Sequence, residues 1–211
     1  MSPEPVTSER VYQRLKADIL GGRYPPGAVL VVHAIAEEYG VSISPVRDSA
    51  QRLIGERLLA AQPGGGFSVP EVTMESLRDL YIWHGQLIRQ ALKARAPASR
   101  EGEFADATLS DAADPVALAR TASALFALIG ARSRNQEHVH AIVSAGERLG
   151  IARLAEPGLI PDAAAELQAV WTLAMFGPDA ALREAVWSYH RRRIRRVSRL
   201  VKEMGGIPKT S

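Results

Sequence analysis

Arg47 has the most specific chemistry in this sequence. A guanidinium set on the outward side of a short amphipathic segment can address the O6 and N7 atoms of guanine with two donors at once. Val46, Ala50 and Leu53 make the apolar stripe of that segment at helical spacing, and Arg47, Gln51 and Arg52 point elsewhere. Ile43, just before it, offers only apolar surface, suited to a thymine methyl. The plainer reading of Arg47 is a surface ion pair with Asp48 or Glu37. A second cluster is Pro63-Gly64-Gly65-Gly66, a tip without side chains whose N–H groups can approach a phosphate backbone or minor groove. These types favour recognition over bond-making. There is no nucleophile–base arrangement, and the triple glycine lies between two strand-like runs, not between a strand and a helix, so the chain is not expected to be an enzyme.

The elements that must hold these residues can be read from their neighbours. Ala34-Ile35-Ala36-Glu37-Glu38-Tyr39 reads as a helix stopped by Gly40, where positive φ is needed, and Val41 plugs the turn. Ser44-Pro45 is expected to open the second helix with a hydroxyl cap and a proline at the first helical position. Leu58-Leu59-Ala60-Ala61 and Phe67-Ser68-Val69 are short strand-compatible runs around the glycine turn, a hairpin wing. After Pro70 the period becomes helical. The pattern predicts helices over 73–96, 115–131, 136–150, 162–176 and 179–204, and an irregular or short-helical piece around Glu103–Ala113. Asp162 and Asp179 are expected caps. The fold class is therefore mainly α: an N-terminal winged helix-turn-helix with a small β-hairpin wing over 1–72, then an all-α bundle over 73–211.

Residues 8–70 resemble the DNA-binding domain of the GntR family of bacterial transcription regulators. Ile19 through Leu30 is similar to its "I-x-x-G-x-x-x-P-G-x-x-L" stretch, and Val41-Ser42-Ile43-Ser44-Pro45-Val46-Arg47-Asp48 to its "V-S-R-T-P-V-R-E" signature. The resemblance implies that Arg47 reaches guanine edges or phosphate and that Ser42 and Ser44 contact phosphate or bases. His33 matches a position often basic, and Gly66 the wing glycine. Two positions depart from the pattern: Ile43 stands for the first signature arginine, and Gly65 for a basic residue.

The helical remainder resembles the FadR-type ligand-binding domain, called FCD, through Leu77-Arg78-Asp79-Leu80-Tyr81, the Asn135 region, and Gly177-Pro178-Asp179 through His190. His84 and Ile88 replace the arginine and glutamate usual in the opening stretch. Many such domains hold a divalent metal with one aspartate and three histidines. The matching positions here read Ala122, Phe126, Gln168 and His190; alanine and phenylalanine have no lone pair to give, so no metal is expected. His190 lies on an inward stripe with Leu182, Val186, Ile194, Val197 and Val201, and is read first as a satisfied core histidine. As an effector site it would be joined by Gln168, Trp171 and Phe126. His84 is a weaker candidate, and His138 and His140, two apart on a helix, point in different directions.

Charge and composition bound the rest. The formal net charge is +3, yet within residues 1–70 Arg10, Arg14, Lys16, Arg23, Arg47, Arg52 and Arg57 are matched by Glu4, Glu9, Asp18, Glu37, Glu38, Asp48 and Glu56. A neutral head predicts weak DNA affinity or reliance on dimerisation. The excess positive charge gathers in Arg191, Arg192, Arg193, Arg195, Arg196, Arg199 and Lys202, a run read first as a solvated face. Without cysteine there is no disulfide frame or thiolate metal site. No apolar run approaches the roughly 20 residues that span a bilayer, so a cytoplasmic location without membrane partner is expected, and Met1–Pro5 reads as a frayed tail. The expected function is a ligand-responsive transcription regulator, a repressor, binding a near-palindromic double-stranded operator as a homodimer and answering to a small organic acid without a cofactor. The alternative is a helical sensor or protein-interaction module with weakened DNA binding.

Overall fold

The computed structural model describes residues 4–63, 65–93 and 114–205, with side chains from Ser8 onward. The chain divides into two compact units, a head through Val72 that also takes in Met204 and Gly205, and a helical unit from Thr73 to Glu203. The piece expected at Glu103–Ala113, and Gly64 of the wing, lie outside the described residues.

In the head, α1 (Glu4–Leu20), α2 (Val32–Tyr39) and α3 (Ile43–Gly55) pack beside a sheet of three two-residue strands, β1 (Val29–Leu30), β2 (Ala60–Ala61) and β3 (Phe67–Ser68). The first helix takes in Glu4 and Pro5, where a tail was expected; proline in a first turn forfeits no helical hydrogen bond. Val11, Leu15 and Ile19 recur at i, i+4 and i+8 along α1, and with Ile35, Val46, Leu53 and Phe67 they form the core. Strand order is β1-β3-β2, all antiparallel, with Leu30 and Ala61 both opposite Phe67. The hairpin was legible from the glycines at its tip; β1, which pairs with β3 from far along the chain, was not.

Gly40 ends α2 in the left-handed region at φ 66° and ψ 38°, as the turn requires. The start of α3 differs from expectation. It begins at Ile43, with Ser42 at the cap position making no side-chain cap bond, so Ser44 lies inside the first turn and Pro45 is the third helical residue. That proline is still harmless there, because the first turn's N–H groups have no helical acceptor.

The described helices of the second unit are α4 (Met74–Ala91), α5 (Pro115–Gly130), α6 (Gln136–Arg148), α7 (Gly150–Leu154), α8 (Glu156–Leu159), α9 (Ala163–Phe176), α10 (Asp179–Ile194) and α11 (Val197–Gly205) as far as Glu203. Its caps are Thr73, reciprocally bonded with Ser76, then Asp114 and Asn135, each accepting from two backbone N–H groups. Asp162 sits at a cap position with φ 60° but makes no side-chain cap bond, and α10 is preceded by Pro178, which moves Asp179 into its first turn. The single helix expected over 179–204 is broken at Arg195-Arg196. Leu87, Ile88, Leu125, Ile129, Val170 and Val186 are among the residues of one apolar core.

Candidate nucleic-acid interface

Ser42 at the cap position and Ser44, Arg47 and Gln51 along the N-terminal turns of α3 are exposed to solvent, with Ile43 half-buried at their edge. Val46, Ala50 and Leu53 anchor the opposite side in the core at 1%, 1% and 0% exposure, so the helix is held rigidly while its outer face is left bare. Ser49 takes no part in that face; it is buried and donates back to the Pro45 carbonyl at 2.6 Å. No side chain caps the helix, leaving its first N–H groups available to a phosphate, which the positive end of the helix dipole attracts. Among the described residues Arg47 has no ion-pair partner; neither Asp48 nor Glu37 engages it.

The head's other cations behave differently. Arg14 and Arg23 both reach Glu38, Arg23 also bonds Asp18 at 2.8 Å, and Tyr39 donates to the same Asp18 carboxylate at 2.7 Å. Lys16 pairs with Glu56 at 2.8 Å. Arg52, which points away from the stripe as expected, is turned toward α1: it bonds Glu9 at 2.8 Å and stacks 3.5 Å above the Tyr12 ring. The bond from Gln13, with the one from Arg52, holds the Glu9 carboxyl below its ordinary pKa. Most of the acids that neutralise the head's formal charge are thus engaged between α1, α2 and the end of α3. Composition alone could not separate those clasps from a neutral reading face.

At the wing, Gly65 and Gly66 have φ of 97° and 100°, and both are exposed with nothing within 4 Å of where a Cβ would stand. Gly65 N–H donates to the Gln62 carbonyl and Gln62 N–H to the Gly66 carbonyl, each at 3.1 Å, which closes the tip. His33 is exposed at the start of α2. The head thus carries a rigid helix end and, at Gly65 and Gly66, a wing without side chains, and two such elements can address base edges and backbone.

Residues 7–69 match the family model described as bacterial regulatory proteins, gntR family. Over those residues the N-terminal unit is similar to the gntR family. The chain is 33% identical over 97 residues to an uncharacterised HTH-type transcriptional regulator, BphR, of Paraburkholderia xenovorans (strain LB400), spanning 44% of this chain and 40% of that one. It is 37% identical over 71 residues to the HTH-type transcriptional regulator McbR of Escherichia coli (strain K12), 34% and 32% of the respective lengths. The chain therefore spans well under half the length of the curated relatives it matches. The solved structure of E. coli McbR/YncC superposes with a TM-score of 0.65 at 19% identity over 94% of this chain and 99% of that one, a likeness of fold.

Behind the gntR-type head in sequence, the helical unit brings together some of the expected interior residues. His190 and Phe126 are buried with ring centroids 5.4 Å apart. Trp171 is buried in the apolar core, but Gln168 is exposed on the outside of α9, its carbonyl accepting from Thr172, because its neighbours Leu167 and Val170 take the inward positions. His84, the weaker candidate, is the missed partner: its Nδ1 lies 2.8 Å from His190 Nε2. The Val186 carbonyl accepts from His190 Nδ1 at 2.8 Å, so His190 Nε2 must accept and His84 must donate from Nδ1, leaving His84 Nε2 a bare acceptor. Burial drives both pKa values down, that of His190 to about 3 and that of His84 well below its ordinary value. His138 turns its two nitrogens to Ser133 and the Leu87 carbonyl, apart from exposed His140.

The metal set of the resembled domain does not fit these residues. Ala122 and Phe126 have no donor atom, Gln168 faces outward, and both His190 nitrogens are engaged. Among the described residues no three His, Asp or Glu side chains converge. The interior carries positive charge in another form. Arg153, 1% exposed, donates from Nη1 to Ser123 Oγ at 2.8 Å and to the Gly146 carbonyl at 3.1 Å, while its Nε and Nη2 have no partner among the described residues. Nor is the C-terminal arginine run wholly a solvated face, as read from sequence. Arg193 is 1% exposed, bonded to Glu156 at 2.8 Å and Glu166 at 2.6 Å, and Tyr81 donates to Glu156 at 2.9 Å. No described helix is long and apolar enough to cross a membrane.

Proposed function

We propose that this chain is a transcription regulator that reads a near-palindromic operator in double-stranded DNA as a homodimer, inserting the first turn of α3 into the major groove and setting the wing on the adjacent backbone. The observation that supports this most directly is Arg47, exposed and without an acidic partner among the described residues on the uncapped end of a rigid helix. Its two parallel donors match guanine, while Ser42, Ser44 and the free N–H groups suit phosphate. Gln51 extends the face one turn on, and Ile43 supplies the apolar contact. We read the helical unit as an FCD-type domain of the FadR subfamily without a resident metal, through which a small organic acid relieves repression in a cytoplasmic protein. Arg153 supports that part: its Nε and Nη2 donors form the side-on fork that a carboxylate accepts bidentately. Phe126 and the His84–His190 pair are its neighbours, and nothing in the site calls for catalysis.

The experiment is a fluorescence titration of the full chain against the DNA upstream of its own gene and a scrambled duplex of equal length, repeated with Arg47→Ala. Specific binding is expected to fall on that substitution. Equal affinity for both duplexes would favour a sensor whose DNA binding has been weakened.

A further inference from the structure

On the outer side of the helical unit, α4 and α10 part to form a groove of about 370 Å³, within the range of small-molecule sites, roughly 300–1,000 Å³. Its floor is set by Gly85 against His190: a Cβ at residue 85 would stand 3.2 Å from the imidazole, so glycine is what lets the two helices approach there. Its walls include Ile82 and Trp187, both large apolar side chains left in solvent at 39% and 42% exposure. Three guanidiniums, of Arg89, Arg191 and Arg195, complete it, and among the described residues that line it none is acidic. Unlike Arg192 and Arg193, which are paired with Glu166 and Glu156, these three have no carboxylate partner among the described residues. Arg191 lies 4.5 Å over the Trp187 ring, so the cation and the indole meet in the same groove.

From this juxtaposition we infer that the α4–α10 groove binds a small amphipathic anion, an aromatic or compact apolar body lying on Trp187 and Ile82 whose carboxylate or sulfonate is held by Arg191 and Arg195. Charge selects this occupant over the others. A second copy docked face to face would set the three arginines against their own mates, since a two-fold contact opposes a patch to itself. A duplex backbone would meet the guanidiniums but leave Trp187 and Ile82 in water, forfeiting the apolar burial that favours occupancy of the groove. An amphipathic anion satisfies both sets of groups in one molecule, and the size of the groove suits it. The groove is built from residues of the helical unit alone, so its test does not require DNA.

The test uses 1-naphthoate and its uncharged counterpart 1-naphthalenemethanol, titrated into the full chain labelled at the tryptophan indole nitrogens, with Trp187→Phe to assign its resonance. Naphthoate is expected to move the Trp187 indole signal saturably and to bind about tenfold more tightly than the alcohol, the margin of one charge-assisted hydrogen-bonded pair. In Arg191→Gln/Arg195→Gln, that margin should disappear while binding of the alcohol persists. Equal affinity for the two probes, an unmoved Trp187 signal at millimolar naphthoate, or an unchanged margin in the double variant would overturn the assignment. So would sedimentation showing that Trp187→Glu separates two copies of the chain, because the groove would then be an interface between them.

Discussion

At the residue scale, two side chains with the same charge have opposite fates within one helix. Arg47 and Arg52 both lie on the polar side of α3, yet Arg52 is clasped by Glu9 and stacked on Tyr12 while Arg47 is left bare. If Arg47 makes the bidentate contact proposed, Arg47→Ala should cost about 1–3 kcal/mol on the specific operator and little on scrambled DNA. Arg52→Ala should instead lower the melting temperature of the head and spare the discrimination between duplexes. An equal loss on both duplexes would make Arg47 a phosphate contact. The buried histidines give a second prediction. Both have folded pKa values below the roughly 6.5 of an unfolded chain, so below that pH the unfolded state takes up protons that the folded state refuses. Their neutral pair is tolerated fully above pH 6.5, and stability should decline as pH falls from there toward about 3, the pKa of His190. The slope approaches roughly 1.4 kcal/mol per pH unit for each proton taken up. Thermal melts followed at 222 nm should fall between pH 7 and pH 5, above the main carboxylate range, and His84→Gln should flatten the decline. A melting temperature constant over that interval would contradict the burial of the pair.

At the scale of elements, the charged clasp of Arg193 ties α8, α9 and α10 together. Its guanidinium spans Glu156 and Glu166 and lies 3.2 Å from the Tyr189 ring centroid. Removing one partner of a buried pair strands the other charge, at about 3–5 kcal/mol, so Glu156→Ala should destabilise the unit by that order. Arg192→Ala, more exposed beside the same Glu166, should change stability by under about 1 kcal/mol in urea titrations. Comparable losses would mean that Arg193 is solvated in the native state. What was legible in the sequence follows the same division between local and distant. Gly40, the wing glycines, the Arg47 face and the inward position of His190 could be read because each depends on a few neighbouring residues. Ser44 was displaced from the cap position because α3 starts two residues earlier than expected, at Ile43, with Ser42 before it making no side-chain cap bond. Arg193 could not be told from its neighbours in a run of arginines, since only contact with Glu156 and Glu166 distinguishes it. His84 meets His190 across 106 residues, and no pattern along the chain announces such a pairing.

At the scale of the molecule, the formal charge of a domain and the charge it can offer a partner are different quantities. The head has as many acids as bases through residue 70, which from composition argues against tight DNA binding. Yet four of its seven cations, Arg14, Lys16, Arg23 and Arg52, are spent on internal carboxylates, and those carboxylates are spent equally. Arg10, Arg47 and Arg57 are then the described cations of the head without an acidic partner among the described residues. If all three meet phosphates or bases, each head displaces at most about three counterions, for a slope of log K against log salt near −3, and two heads reach about twice that. Titrations of the operator between about 50 and 200 mM KCl measure it directly. A slope near −6 requires two heads on the site and supports the dimer; one near −3 means a single head engaged. A slope much steeper than −6 would show that the clasps of α1 and α3 open on DNA, and Glu9→Gln, which weakens one of them, should then change the slope further.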